Sequence, residues 1–301
     1  MIVQIYEIQI PEEAEACIEA GVDHIGSVLF SEEEWRQPLL KKVIQLSKAA
    51  GVKNSIIPLF HEEDILHKVL DYYHPAYLHF CEMLTTDTGQ QQAFEPIVER
   101  QTRLKEEFPE TGIIRTIPVP ARDSVVQGFP FLEIARAFEK VTDFFLIDTW
   151  AEKSPVNGFI GITGRPPDWD MAKDLVFNTH IPVILAGGLS PENVYEALLK
   201  VLPAGADSCT QTNGTDESER PVRFRKDIEK VKKFVSEVRR AEETIRYEAE
   251  RMTSELNELK EALRDREAAL PAHSVRPHQL LAIEELEEKI ALREKKLEHL
   301  K

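Results

Sequence analysis

Phe145-Leu146-Ile147-Asp148-Thr149, then Gly161-Ile162-Thr163-Gly164-Arg165-Pro166-Pro167-Asp168-Trp169, then Leu185-Ala186-Gly187-Gly188-Leu189-Ser190-Pro191-Glu192-Asn193-Val194 is the stretch on which the reading of this chain turns. An apolar strand delivers a carboxylate to its C-terminal end, and two glycine-bearing loops follow, each leading towards a helix. In a barrel of β-then-α units the chemistry sits at the strand tips of the C-terminal face, and free backbone N–H groups at a helix start hold anions there. The stretch therefore predicts an architecture and a ligand class, a small phosphorylated one.

The same alternation extends in both directions. Strand-like runs at 2–8, 24–30, 53–60, 76–80 and 112–119 alternate with helical patterns at 11–20, 38–50, 62–72, 90–108 and 131–141. Strands at 143–148, 182–186 and 206–209 follow, with helices at 171–178 and 191–201, and a last helix begins near Lys226. Repeated βα units imply a parallel sheet covered by helices, and eight of them predict an α/β (βα)8 TIM barrel over residues 1–240. From Ala241 onward charged residues dominate and glycine disappears. Phe234, Val238, Ala241, Ile245, Met252, Leu259 and Leu263 recur near a 3-4 spacing, with Glu248 and Glu255 as breaks. Ile283, Leu286, Ile290, Leu297 and Leu300 repeat the spacing with Arg293 as the break, and Pro271–Pro277 separates the two runs. Residues 241–301 therefore read as an α-helical hairpin or coiled-coil extension, either folding on itself and the barrel or serving as a homo-oligomerisation arm.

A formal charge of −16 argues against nucleic acid and anionic membrane surfaces as partners. It leaves room for a small anionic ligand held by a few local donors. Cys17, Cys81 and Cys209 are scattered without metal-ligand spacing, which suits reduced thiols in the cytoplasm and no metal. There is no apolar run of about 18 residues and no signal-peptide pattern, so neither a membrane span nor export is expected.

Individual residues carry the candidate chemistry. Ser190 reads as an N-cap with Pro191 at the first helical position, so Gly187 and Gly188 lie where N–H groups are free. Gly161, Thr163 and Gly164 on the preceding βα loop add a second N–H wall and a hydroxyl. Asp148 either caps the next element or does chemistry at the strand tip. Arg36 can grip a carboxylate as a fork or pair with Glu32, Glu33 or Glu34. His79 near the tip of the fourth strand is either a structural group or a proton shuttle.

These residues resemble the phosphoribosylanthranilate isomerase family of tryptophan biosynthesis. The resemblance covers roughly residues 2–240. The family's Leu-Asp-[Ser/Thr], Gly-Gly-Thr-Gly-x-x-Phe-Asp-Trp and Leu-Ala-Gly-Gly-Leu-x-Pro-x-Asn-Val are nearly intact. Its opening Lys-x-Cys-Gly falls on Gln4-Ile5-Tyr6-Glu7, its Ser-x-Arg on Glu34-Trp35-Arg36, and its Gln-Leu-His-Gly-x-Glu on Tyr77–Glu82. The resemblance implies an Amadori rearrangement in which a cysteine on the first strand is the base and the aspartate matched by Asp148 is the acid. It also implies a carboxylate contact from Arg36 and no cofactor.

The chain departs from that pattern at the base, where Tyr6 replaces the cysteine and Glu7 the glycine. The eighth-strand loop departs too, reading Asp207-Ser208-Cys209-Thr210-Gln211-Thr212-Asn213 where the family has Asp-Val-x-Ser-Gly-Val-Glu. A phenol titrates about one and a half units above a thiol, so Tyr6 is no like-for-like base. In a closed barrel the eighth strand lies beside the first, which makes Cys209 a candidate base and Glu7 a second; the competing reading of Cys209 is a small buried core residue. Three functions follow. The first is isomerisation of a phosphoribosyl substrate; the second is another reaction on a sugar phosphate. The third is a non-catalytic barrel that senses a ligand or scaffolds a complex through its arm.

Overall fold

A computed structural model describes residues 1–86, 88–124, 126, 128–152, 155–270, 276–298 and 300. Eight strands close into one parallel barrel in sequence order. They are β1 (Ile2–Ile5), β2 (His24–Leu29), β3 (Lys53–Pro58), β4 (Tyr77–Phe80), β5 (Gly112–Pro120), β6 (Phe144–Trp150), β7 (Val183–Leu185) and β8 (Gly205–Ser208). The helices α1 (Pro11–Glu19), α2 (Pro38–Ala49), α3 (Glu63–Tyr73), α4 (Glu95–Glu107), α5 (Phe131–Phe138), α6 (Trp169–Phe177) and α7 (Val194–Val201) alternate with them. The expected (βα)8 fold is present.

The barrel closes where β1 pairs with β8, from Ile2 opposite Gly205 to Ile5 opposite Ser208. Gly205 is required at this seam, because a Cβ there would lie 2.6 Å from Ile2 Cβ. Successive strand residues face opposite sides. Tyr6, Ile114, Leu146, Ile184 and Ala186 form one buried cluster inside the barrel, with Ile57, Tyr77, Phe144 and Cys209 against it. On the other face, Arg115 of β5 is fully buried and bridges to Glu82 at 2.8 Å and to Gln101 of α4 at 2.8 Å.

Two element boundaries differ from the sequence reading for local reasons. The first strand stops at Ile5 because Glu7 is left-handed, with φ +65°, which turns the chain out of the sheet. The seventh helix begins at Val194, not Pro191. Asn193 accepts from Ser190 N at 2.8 Å and donates to Gly188 O at 3.0 Å, which ties the preceding residues into a turn. Ser190 caps that turn, accepting from Glu192 N at 3.1 Å.

One element was not foreseen. After β8 the chain forms an antiparallel hairpin, β9 (Asn213–Thr215) with β10 (Pro221–Lys226), before α8 (Ile228–Ala268) begins. Lys226 anchors the hairpin, its Nζ donating to Cys209 O at 2.8 Å and to Asn213 Oδ1 at 2.5 Å.

The chain divides into two compact units, Met1–Arg239 and Arg240–Lys301. The second consists of the rest of α8 and of α9 (Pro277–Glu298). Leu256, Ile290 and Leu297 are buried together, with Met252, Leu259 and Leu263 against them. The two helices therefore pair within the chain. Glu255 and Arg293, both read as breaks in the apolar pattern, meet each other in an ion pair at 3.0 Å. The part of the expected breaker at 271–275 lies outside the described residues.

Candidate active site

Asp148 ends the inward-facing row of β6, half-buried, with Oδ1 accepting from Thr149 N at 2.7 Å. Burial pushes its carboxyl up to about 6, against the opposing pull of that hydrogen bond. Gly161 lies directly over it: a Cβ there would sit 2.1 Å from Asp148 Oδ2, and φ is +101°. Only glycine meets both conditions. Behind it the two glycine loops press together, since a Cβ on Gly188 would lie 2.7 Å from Gly164 O. A cavity of about 40 Å³ opens beside them, lined by Thr163, Gly164, Gly187, Gly188 and Gln211 as well as Asp148.

Asp148 also lines a second chamber, of about 70 Å³, on the β1 side, together with Tyr6, Glu7, His79, Cys209, Asp207 and Arg223. Tyr6 fills the barrel interior against Gly26, where a Cβ would fall 2.2 Å from the Tyr6 ring. Its hydroxyl bonds Ser55 Oγ and His79 Nδ1, each at 2.6 Å, and His79 Nε2 bonds Thr116 Oγ1 at 2.8 Å. Burial raises the phenol well above its ordinary range and lowers His79 to about 3. Both stay neutral near pH 7, so Tyr6 keeps its proton and His79 works as an uncharged link in a buried chain. The phenol does not take the place of the family's basic cysteine.

Burial also raises the Cys209 thiol well above the ordinary range, and the pull of Lys226 in the other direction does not offset it. The closed seam does bring Cys209 against Tyr6, as the barrel topology predicted. The thiolate that a cysteine base requires is therefore disfavoured there. Asp207, 6 % exposed, accepts from Gln4 Nε2 at 3.1 Å, and burial, with Asp148 adding to it, pushes its carboxyl up to about 8. Glu7 is buried, and its Oε1 accepts from Arg223 Nε at 2.8 Å and from Arg223 Nη2. Glu7 Oε2 takes no bond from Arg223, and the Cys209 thiol hydrogen-bonds the Glu7 carboxylate.

Tyr6, Glu7, His79, Asp148 and Cys209 are thus brought to one chamber, and Thr163, Gly164, Gly187 and Gly188 to its neighbour. Arg36 is not. It is exposed and stacks over Tyr72 of α3 at 4.8 Å, lining neither cavity. The cause is a long-range contact: Tyr73 of α3 accepts from Gln37 N and donates to Trp35 O, both at 2.8 Å, fastening that loop outward. Sequence reasoning missed Asp207 and Arg223. The alternating Val222-Arg223-Phe224-Arg225 was the signal for the strand that carries Arg223. Among the described residues no three His, Cys, Asp or Glu side chains converge on a metal position.

An acid at the tip of β6 and paired glycine loops at the C-terminal mouth place this chain among (βα)8 barrels with a built site on that face. Residues 105–237 match the sequence model of N-(5'-phosphoribosyl)anthranilate isomerase. The curated isomerase of Methanosarcina acetivorans is 35% identical over 147 residues, 46% of this chain and 55% of that protein. Isomerase 1 of Methanosarcina mazei is 32% identical over 165 residues, 54% of this chain and 65% of its own length. The matches thus span 55% and 65% of these relatives, less than two thirds of either. The solved phosphoribosylanthranilate isomerase of Pyrococcus furiosus superposes with a TM-score of 0.56 at 20% identity, covering 80% of this chain and 99% of that one. On sequence the chain is similar to N-(5'-phosphoribosyl)anthranilate isomerases over part of its length, with Tyr6 where the resemblance places a cysteine. The fold alone does not choose the reaction, since a Pyrococcus furiosus thiamine phosphate pyrophosphorylase also superposes, at 0.51 and 14% identity, over 80% of this chain and 96% of that one.

Proposed function

We propose that this barrel is a cytoplasmic isomerase of the phosphoribosylanthranilate isomerase type, acting on a phosphorylated sugar-like substrate with Asp148 as general acid. The observation that carries the reading is the position of Asp148 at the strand tip where the two cavities meet, with its carboxyl pushed up to about 6 by burial. A carboxyl that keeps part of its protons near neutrality suits donation to a sugar ring oxygen as the ring opens. The glycine loops with Thr163 supply the phosphate end. A related isomerase solved with reduced 1-(o-carboxyphenylamino)-1-deoxyribulose 5-phosphate has the same fold at a TM-score of 0.54 and 18% identity, covering 79% of this chain and 99% of that one.

The proton acceptor falls to Glu7. Tyr6 and Cys209 hold their protons, and Asp207 is largely protonated below pH 8. Turnover of N-(5'-phosphoribosyl)anthranilate by the purified chain, and growth of a tryptophan auxotroph lacking the isomerase, test the reading. Asp148→Asn is expected to lower turnover by roughly 10²–10⁴-fold with little change in ligand binding. Absence of turnover and of rescue by the native chain would sink it.

A second reading, a ligand-binding barrel without turnover, is favoured by Tyr6, which is bonded into the position of the base. Ribose 5-phosphate raising the melting temperature of a chain that turns nothing over is its expected signature. We further propose that residues 241–301 serve as a homo-oligomerisation arm. Leu280, Leu281 and Leu292 of α9 are exposed and would be covered by a second copy.

A further inference from the structure

We propose that Arg223 is a specificity-determining residue of this site: it takes the carboxylate of the incoming ligand in exchange for Glu7. The inference rests on the reading of the glycine loops as the phosphate end. It extends that reading to a ligand with two anionic ends.

Four observations converge on Arg223. It is the cationic side chain among those lining the Asp148 chamber, and it comes from the β9–β10 hairpin rather than from one of the eight strand tips. It is aimed: Phe224 packs edge-on against Phe30 at 5.2 Å, and the Arg223 guanidinium lies 4.8 Å from the Phe224 ring. Phe224 holds a φ of +61°, a conformation that a bulky residue adopts only when its surroundings enforce it. The edge of the guanidinium that meets Glu7 is already engaged with a carboxylate, through Nε and Nη2 together. Both donors meet the single oxygen Oε1 of Glu7, whereas the same guanidinium edge can grip both oxygens of a better-placed carboxylate as a fork.

Glu7 behaves as a stand-in. It is left-handed with φ +65°, and it is buried in the chamber with both Arg223 donors on one of its two carboxylate oxygens. A strained carboxylate that Arg223 holds through one oxygen only is a weaker partner than one gripped through both. Meanwhile 39% of the Arg223 side chain remains exposed, so an incoming anion reaches the guanidinium from solvent before Glu7 lets go. Arg36, the cation expected for this duty, lies over Tyr72 outside both cavities. The chamber measures about 70 Å³, and Glu7 swinging off Arg223 would widen it.

The test is calorimetric titration of the full chain with anthranilate, which carries only the carboxylate, and with ribose 5-phosphate, which carries only the phosphate. Arg223→Ala should weaken anthranilate by about tenfold or more, the scale of a charge-assisted hydrogen bond, and leave ribose 5-phosphate unchanged. Arg223→Lys should restore part of the loss. Glu7→Gln should tighten anthranilate, because the competitor has lost its charge. Opposite signs for the two single variants distinguish exchange from a structural latch. The proposal is overturned if Glu7→Gln weakens anthranilate as Arg223→Ala does, if Arg223→Ala weakens only ribose 5-phosphate, or if neither the native chain nor Glu7→Gln binds anthranilate. If ribose 5-phosphate fails to bind while the anthranilate pattern holds, the phosphate reading of the glycine loops falls and the assignment of Arg223 stands.

Discussion

Asp207→Asn removes a carboxyl that is 6 % exposed, bonded to Gln4 and pushed up to about 8, and leaves the Gln4 hydrogen bond in place. In the unfolded chain an aspartate titrates near 3.9. Between those values the folded state holds a proton that the unfolded state has released. Native stability from this group is therefore fully present below pH ~4 and is lost as pH rises through about 8. The substituted chain has no such slope. Moving from pH 5 to pH 9 should widen its advantage over the native chain by on the order of 4 kcal/mol, from three units at about 1.36 kcal/mol each. Asp148 contributes a slope of the same sign up to about 6, but it is present in both chains and cancels. Urea unfolding followed by tryptophan fluorescence suits the measurement. All three tryptophans, Trp35, Trp150 and Trp169, lie in the barrel unit, so the signal excludes the helical hairpin. A gap between the two chains that stays constant within 1 kcal/mol (about the resolution of such extrapolations) from pH 5 to pH 9 would refute the reasoning.

Two further outcomes are expected. Tyr6→Phe leaves Ser55 and His79 without their shared partner and should cost about 1–3 kcal/mol of stability; its turnover should keep the native pH profile, and a flattened profile in a well-folded variant would return Tyr6 to the proton-transfer chemistry. Ile290→Asp places a charge in the Leu256–Leu297 cluster. It should abolish the helical signal of the second unit while the fluorescence-detected unfolding of the barrel is unchanged, and coincident loss of both would contradict independent units.

The barrel was legible because hydrophobic runs and glycine stops alternate along the chain, and the parallel sheet follows from that alternation. Asp148 was legible for the same reason: a lone carboxylate ending an apolar run has few places to go in a barrel except the mouth. The placement of Cys209 beside Tyr6 followed from closure alone. What the sequence hid depends on contacts between distant segments. Arg36 was drawn off by Tyr72 and Tyr73, residues some 36 positions away on another helix. Ser190 looked like a helix cap, but the side chain of Asn193 folds the intervening residues into a turn first. The β9–β10 hairpin was masked by polar residues, and its proposed role rests on a single arginine reaching back to Glu7, just past the end of the first strand. Asp207 was visible as a residue, yet its neutral state comes from burial, which composition does not report.

The left-handed backbone at residue 7 has a historical consequence. A glutamate there carries a conformational cost of about 1–3 kcal/mol and the desolvation of its carboxylate, and Arg223 offsets the second. A chain that acquired Glu7 before Arg223 would bear both costs unrelieved. One that grew the hairpin first would only have set a cation opposite a small residue. By these costs, hairpin first and glutamate second is the less destabilising order of substitution. A laboratory reversal is expected to run in the opposite order: Glu7→Gly relieves the left-handed strain while the hairpin remains, whereas deleting the hairpin around an intact Glu7 leaves its carboxylate without its cation and lowers stability.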